Sequence, residues 1–267
     1  MTGTSLERLL RRDRLIVLAA LAVIVLLAVL CLLSVAAPPD ASPMNGMAMD
    51  ASHFGPRPAP WSGGHFLMMF AMWAAMMVGM MTPSVAPMLL IYVRVARHAE
   101  ARAQPFAPVG WFAMGYLLAW SAFAAVATLL QWLLDHAALM DAAMAIADQR
   151  VAGFLLIAAG FYQWTPLKDA CLGRCRSPFQ FIQAYGGFRP EPGASLLLGL
   201  RHGFYCIGCC WALMLLLFFG GVMNLLWVAA LAAFVLAEKL VPRGRFLSRA
   251  AGAALIAGGA SLIAGLL

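Results

Sequence analysis

Apolar residues in this chain come in long blocks separated by short polar stretches, not in the alternating stripes of a half-buried sheet. The blocks run from Leu15 to Ala37, from Gly64 towards Arg94, from Val109 to Leu134, and from Val151 to Trp164. They continue from Ser195 to Phe219, from the Gly220–Asn224 turn to Glu238-Lys239, and through a Gly/Ala-rich stretch ending at Leu267. A block of about eighteen residues or more is long enough, as a helix, to cross ~30 Å of hydrocarbon. The fourth block needs residues from either side to do so. The pattern predicts an all-α fold, a polytopic transmembrane helix bundle of about seven spans.

Polar segments divide the chain further. Residues 1–64 form an N-terminal transmembrane helix plus a Pro-, Gly-, Ser- and Met-rich linker, and residues 65–267 form a six-helix membrane domain. The N-terminus resembles a signal peptide, with Arg8, Arg11, Arg12 and Arg14 before the apolar run and Val35-Ala36-Ala37 imitating a cleavage site. The run is too long for a usual signal core, so it reads as a retained first helix.

Composition agrees with a membrane setting: 64% of 267 residues are hydrophobic and only 11% are charged. The net charge of +7 would suggest nucleic acid in a soluble chain. Here every Lys and Arg except Arg57 and Arg150 falls in a segment that the span count places on one side. The positive-inside rule then puts the N-terminus in the cytoplasm and the C-terminus outside. The expected setting is a bacterial inner (plasma) membrane, with lipid as partner and no nucleic acid. The outer loop after the third span is acidic, with Asp135, Asp141 and Asp148.

Candidate chemistry centres on His202-Gly203-Phe204-Tyr205-Cys206-Ile207-Gly208-Cys209-Cys210, with Met214 four residues further on. At about 100° per residue, His202, Cys206, Cys209 and Cys210 project within roughly a 100° arc. Cysteine packs well as a small hydrophobe, yet a sulfur-rich face away from water suits Cu(I) better than hard cations. Zinc also accepts Cys and His. Cys171 and Cys175, at i and i+4, lack zinc-finger spacing but are able to face one way and approach Cys206. In the second span His65, Met69, Met72, Met76 and Met80 share an arc of roughly 80°. That stripe serves equally as core filler or as a thioether relay for Cu(I). Met44, Met47, Met49 and His53 make a similar cluster in the linker. Pro83 and Pro87 free carbonyls in the second span, and Gly199 and Gly203 allow a neighbouring helix to come close. Glu238-Lys239 reads as an interfacial ion pair or a cytoplasmic gate.

Several segments together carry a resemblance. They are Tyr162-Gln163-Trp164-Thr165-Pro166-Leu167-Lys168 with Cys171 and Cys175-Arg176, Cys206 to Trp211 with Leu213-Met214, Gly221-Val222-Met223-Asn224, and Glu238-Lys239. Trp73 and Met76-Met77 with Met80 to Pro83 add to it. Over roughly residues 65–240 the chain resembles the DUF2182 family of predicted metal-binding integral membrane proteins. The resemblance implies metal handling, copper above all, and some members are labelled copper chaperones.

The expected function is Cu(I) held on membrane Cys, Met and His ligands for delivery to a copper-receiving protein or for transport. Two other classes stay open: a membrane thiol–disulfide oxidoreductase using Cys206 and Cys209, and a structural or assembly subunit whose cysteines only pack. No Walker loop, Ser-His-Asp pattern or HExxH supports a hydrolase or ATPase.

Overall fold

The computed structural model describes residues 61–102, 105–141 and 144–266, with four isolated helical positions between 19 and 30. The rest of the first span, and Met44, Met47, Met49 and His53, lie outside the described residues. Helices make up the described fold: α1 (Gly63–Glu100), α2 (Val109–His136), α3 (Gln149–Tyr162), α4 (Pro166–Arg176), α5 (Pro178–Ala184), α6 (Pro192–Leu215), α7 (Leu217–Gly220), α8 (Leu225–Leu240) and α9 (Gly244–Ile263). Among the described residues, four segments are long and apolar enough to cross a membrane: α1, α2, α6 with α7, and α9. The α3 helix is apolar but has 14 residues, or about 21 Å. The α8 helix, with 16 residues, also falls short of the ~20 that a full crossing takes.

Local chemistry sets the helix ends. Ser62 accepts from the His65 amide at the start of α1, and Asp148 from the Arg150 and Val151 amides at the start of α3. Thr165 and Asn224 do the same for α4 and α8. Each removes at least one of the unpaired N–H groups that a helix start leaves, and Asp148 removes two. Proline opens α4, α5 and α6, where its missing N–H costs nothing. Gly221, at φ +87°, makes the turn into α8, a backbone shape that side-chain-bearing residues resist.

In lipid, helices are held by close packing more than by water exclusion, and small residues permit it. Gly115 of α2 lies against the Leu196 and Leu200 backbone of α6. Gly199 lies on the Phe112 carbonyl, and Gly203 on Ala119 and Tyr116. The α3–α9 pair uses the same device, Gly153 against Gly259 and Gly160 against Gly252.

The contacts give the bundle two chemically distinct ends. Trp61 donates to Asp135 at 2.6 Å, so the start of α1 meets the end of α2 near Asp141 and Asp148. The opposite end carries Arg94, Arg97, Arg174, Arg176, Arg243 and Arg245. There Tyr92 donates to the Ala107 carbonyl at 2.7 Å and shares a 2.8 Å bond with Ser195. The short helices α4 and α5 cap this basic end. On α5, Phe179 is 65% exposed, while Phe181 and Ile182 turn into the core. On α2, Tyr116 and Trp120 are buried.

Candidate functional site

Cys206 lies where α1, α2, α6 and α8 meet, closer to the basic end. Its sulfur accepts from the Lys239 ammonium of α8 at 2.9 Å and lies 3.2 Å from the Tyr116 hydroxyl. Lys239 also donates to Ser84 at 3.1 Å. Ser84 and Tyr116 both donate to the Met81 carbonyl, at 2.8 and 3.1 Å. The prolines on either side of Ser84, at positions 83 and 87, remain inside a continuous α1. Side-chain hydroxyls thus bond to the backbone of the proline-bearing stretch, as helices in lipid require.

The thiols of Cys209 and Cys210 both donate to the Cys206 carbonyl at 3.0 Å. That is a helix bonding back on itself across i−3 and i−4, and it holds the two S–H groups to the same side. From the loop side, Cys175 of α4 brings its sulfur to 4.0 Å from that of Cys209. Cys171, one turn earlier, packs on Gly208: a Cβ built at Gly208 would lie 2.7 Å from the Cys171 sulfur. Tyr162 of α3 donates to the Gly208 carbonyl, so α3 and α4 both close on this turn of α6. The cysteines Cys171, Cys175, Cys206, Cys209 and Cys210 are all free thiols. On α4, outside the spanning helices, hydrogen bonding to Cys206 and Cys209, then burial, holds Cys175 well above the usual thiol range. Burial, and then Cys209, pushes Cys171 up.

The other predicted residues take different places. His202 is buried among the rings of Phe112, Tyr116 and Phe181, at 5.8, 6.0 and 5.0 Å, and its Nδ1 has no hydrogen-bond partner. Met214 is fully buried. Met69, Met72, Met76 and Met80 line the buried side of α1, joined by Met77, Met81 and Met88. His65 is half-buried, its ring edge-on to Trp61 at 4.8 Å. Among the described residues, no group of three His, Cys, Asp or Glu side chains has the geometry to hold a metal ion as it stands. The S–H groups turned onto the Cys206 carbonyl are one physical reason.

Glu238 and Lys239 do not pair with each other. Consecutive helical residues diverge by about 100°, so Lys239 turns to Cys206 while Glu238 turns to Lys168 of α4. The Lys168 ammonium lies 2.8 and 3.0 Å from the two Glu238 oxygens, with both side chains at most 2% exposed. Ser248 donates to Glu238 at 2.7 Å, and Gln163 accepts from Lys168. This network fastens α4, and with it Cys171 and Cys175, to α8. Sequence reasoning did not find Lys239, Tyr116 and Ser84 as partners of Cys206. A lysine within a mostly apolar stretch was the available signal.

The chain matches no curated protein and no solved structure. A family model described as PpoB2, copper chaperone, matches residues 70–262, which takes in every cysteine of the cluster and most of the buried methionines. The four long apolar helices and this match together fit a membrane protein that binds copper. By the extent of that match, the chain belongs to the PpoB2 family of copper chaperones.

Proposed function

We propose that the chain holds Cu(I) as cargo on the thiols of Cys206, Cys209 and Cys175 and passes it to a copper-receiving partner or across the membrane. The observation that carries this is the meeting of Cys175 with Cys209 at 4.0 Å, from separate helices, one turn from Cys206. Thiolates are the soft ligands Cu(I) favours, and they form from these thiols with loss of protons. Cys210, Cys171, His202 and Met214 surround the three and supply alternative ligands during transfer. The resting thiols must first leave the Cys206 carbonyl, a rotation about one side-chain bond each. Zinc, which prefers a closed tetrahedral set, is the competing ion.

The fold supports this reading in the membrane. In this reading the first apolar block, together with the short helices α3 and α8 completed by residues on either side, brings the bundle to about seven spans, its basic end in the cytoplasm and its acidic end outside. The buried methionines of α1 lead from the acidic end towards the cysteines. Met69 and Ser84 are fifteen residues apart, or about 22 Å along the helix.

The test is thiol protection. The purified chain, kept anaerobic, is loaded with Cu(I) and alkylated, and each cysteine is read by mass spectrometry. Protection of Cys175, Cys206 and Cys209 at one equivalent is expected. Equal alkylation with and without copper contradicts the proposal. The 4.0 Å approach also favours a second reading, thiol–disulfide exchange through Cys175 and Cys209. A disulfide that cycles with a partner, with no copper bound, would support that instead.

A further inference from the structure

Near the acidic end, far along α1 from the cysteines, a buried amide is held between two thioethers. Gln131 of α2 is 3% exposed. Its Oε1 accepts from the Trp73 indole at 2.6 Å. An indole N–H only donates, so this bond fixes which way round the amide sits. The NH2 group must then face the other way, and both of its directions end on sulfur: Met69 at 3.6 Å and Met144 at 3.2 Å. Thioether sulfur is a weak acceptor. A buried amide nitrogen with two of them is an unusual arrangement, and it aims two sulfur lone pairs at one electropositive point.

The chain places Met144 there against its own preference. Met144 has φ +56°, a left-handed backbone that a residue with a Cβ adopts only under strain. Around it the loop is fastened down. Met144 N–H donates to the Asp141 carbonyl at 3.0 Å, Ala145 N–H to the Asp141 side chain at 2.9 Å, and Ile146 N–H to the Phe218 carbonyl of α7 at 2.7 Å. Met144 is half-buried and Met69 almost fully buried, so the pair lies one layer beneath the surface. One helical turn outward on each helix sit His65 and Asp135, linked through Trp61. A carboxylate and an imidazole therefore stand above two converging sulfurs.

We infer that Met69 and Met144, with the Gln131 amide holding their sulfurs towards one point, form a Cu(I) entry site at the acidic end of the bundle. Soft neutral thioethers bind Cu(I) without losing protons and hold it weakly enough to let go, which suits the start of a path whose thiols bind more tightly. The cation replaces the amide as the partner of both sulfurs, which swing off the N–H groups by rotation about their flexible side-chain bonds and close on the cation beside the NH2 group. Gln131 keeps its bond to Trp73 through Oε1. The direction of flow assumed here rests on the copper reading above, whereas the site itself does not depend on the thiols.

The experiment uses the full chain in detergent with ¹³C-methyl methionine, and Ag(I) as a redox-silent probe for Cu(I). The Met69 and Met144 signals are assigned by their loss in Met69→Leu and Met144→Leu, swaps that cores tolerate well. A retained Trp73 indole signal shows that the Gln131 contact survives. In a background with all six cysteines replaced by serine, one equivalent of Ag(I) is expected to shift both methyls together. Met144→Leu should abolish the Met69 shift. With the cysteines restored, Met144→Leu should slow loading of the thiols about tenfold and leave the final occupancy unchanged. If both methyls stay still while the thiols load, the entry site is wrong and the thiol reading stands. If both methyls shift and the thiols never load, the thiol reading fails and the entry site stands. A shift confined to one of the two methionines overturns the paired site.

Discussion

Glu238→Gln isolates what the buried ion pair contributes to the site. Lys168 and Glu238 are at most 2% exposed, with oxygens 2.8 and 3.0 Å from the ammonium. At an effective dielectric of about 20, two unit charges at this separation attract by about 6 kcal/mol. Desolvating both ions takes back most of that, so the pair is worth little against a well-packed neutral replacement. Removing one charge alone is different. It leaves the Lys168 ammonium buried against neutral oxygens, at a cost of about 3–5 kcal/mol. With about 2–4 °C lost per kcal/mol in a chain of this size, Glu238→Gln should melt about 6–20 °C below wild type in detergent. The Lys168→Met, Glu238→Gln double variant removes both charges, and its new amide still accepts from Ser248. It should recover most of the loss. Melting curves followed by tryptophan fluorescence supply the values. A single variant within 2 °C of wild type, or a double as unstable as the single, would refute the reasoning. Because the pair fastens α4 to α8, Glu238→Gln should also weaken protection of Cys175 by copper more than that of Cys206.

Three further outcomes follow from other parts of the structure. Gly199→Ala sets a Cβ against the Phe112 carbonyl, so α2 and α6 must part; a destabilisation of about 1–3 kcal/mol is expected, whereas Gly193→Ala, in open space, should be silent in the same melting assay. Mild oxidation should join Cys175 to Cys209, whose sulfurs are 4.0 Å apart, in preference to Cys206 and Cys209 on one helix; peptide mapping reads the linkage, and bound copper should suppress it. Cys175 is held protonated by its thiol neighbours and by burial, and copper needs the thiolate, so binding should release a proton. Affinity for Cu(I) should therefore rise as pH rises, about tenfold per unit for each thiol that must ionise, and level off only above the raised range of Cys175; competition with a chelator at several pH values measures it.

The repetitive features were legible in the sequence, and the meeting points were not. Long apolar blocks forecast the helical fold because a spanning backbone has few options. The Gly199/Gly203 spacing forecast a close neighbour, and Met69, Met72, Met76 and Met80 do share the buried side of α1. Periodicity describes one helix at a time, however. It offered no means to see that Lys239 reaches Cys206 across 33 positions, or that Gln131 reaches back to Met69 across 62. Glu238 and Lys239 looked like a pair because they are neighbours in sequence, yet helical rotation sends them to different partners. Cys175 was placed near the motif in outline only. Its approach to Cys209 depends on the Lys168–Glu238 anchor, which no local pattern announces.

The most direct test of the thiol site is metal content. The full chain is purified in detergent and reconstituted anaerobically with Cu(I) and, separately, with Zn. Excess metal is removed, and the protein is assayed by elemental analysis beside Cys175→Ser, Cys206→Ser and Cys209→Ser. The account predicts about one copper retained per wild-type chain, loss of most of it in each variant, and little retained zinc. Copper that stays bound in all three variants, or that wild type fails to retain, would contradict it.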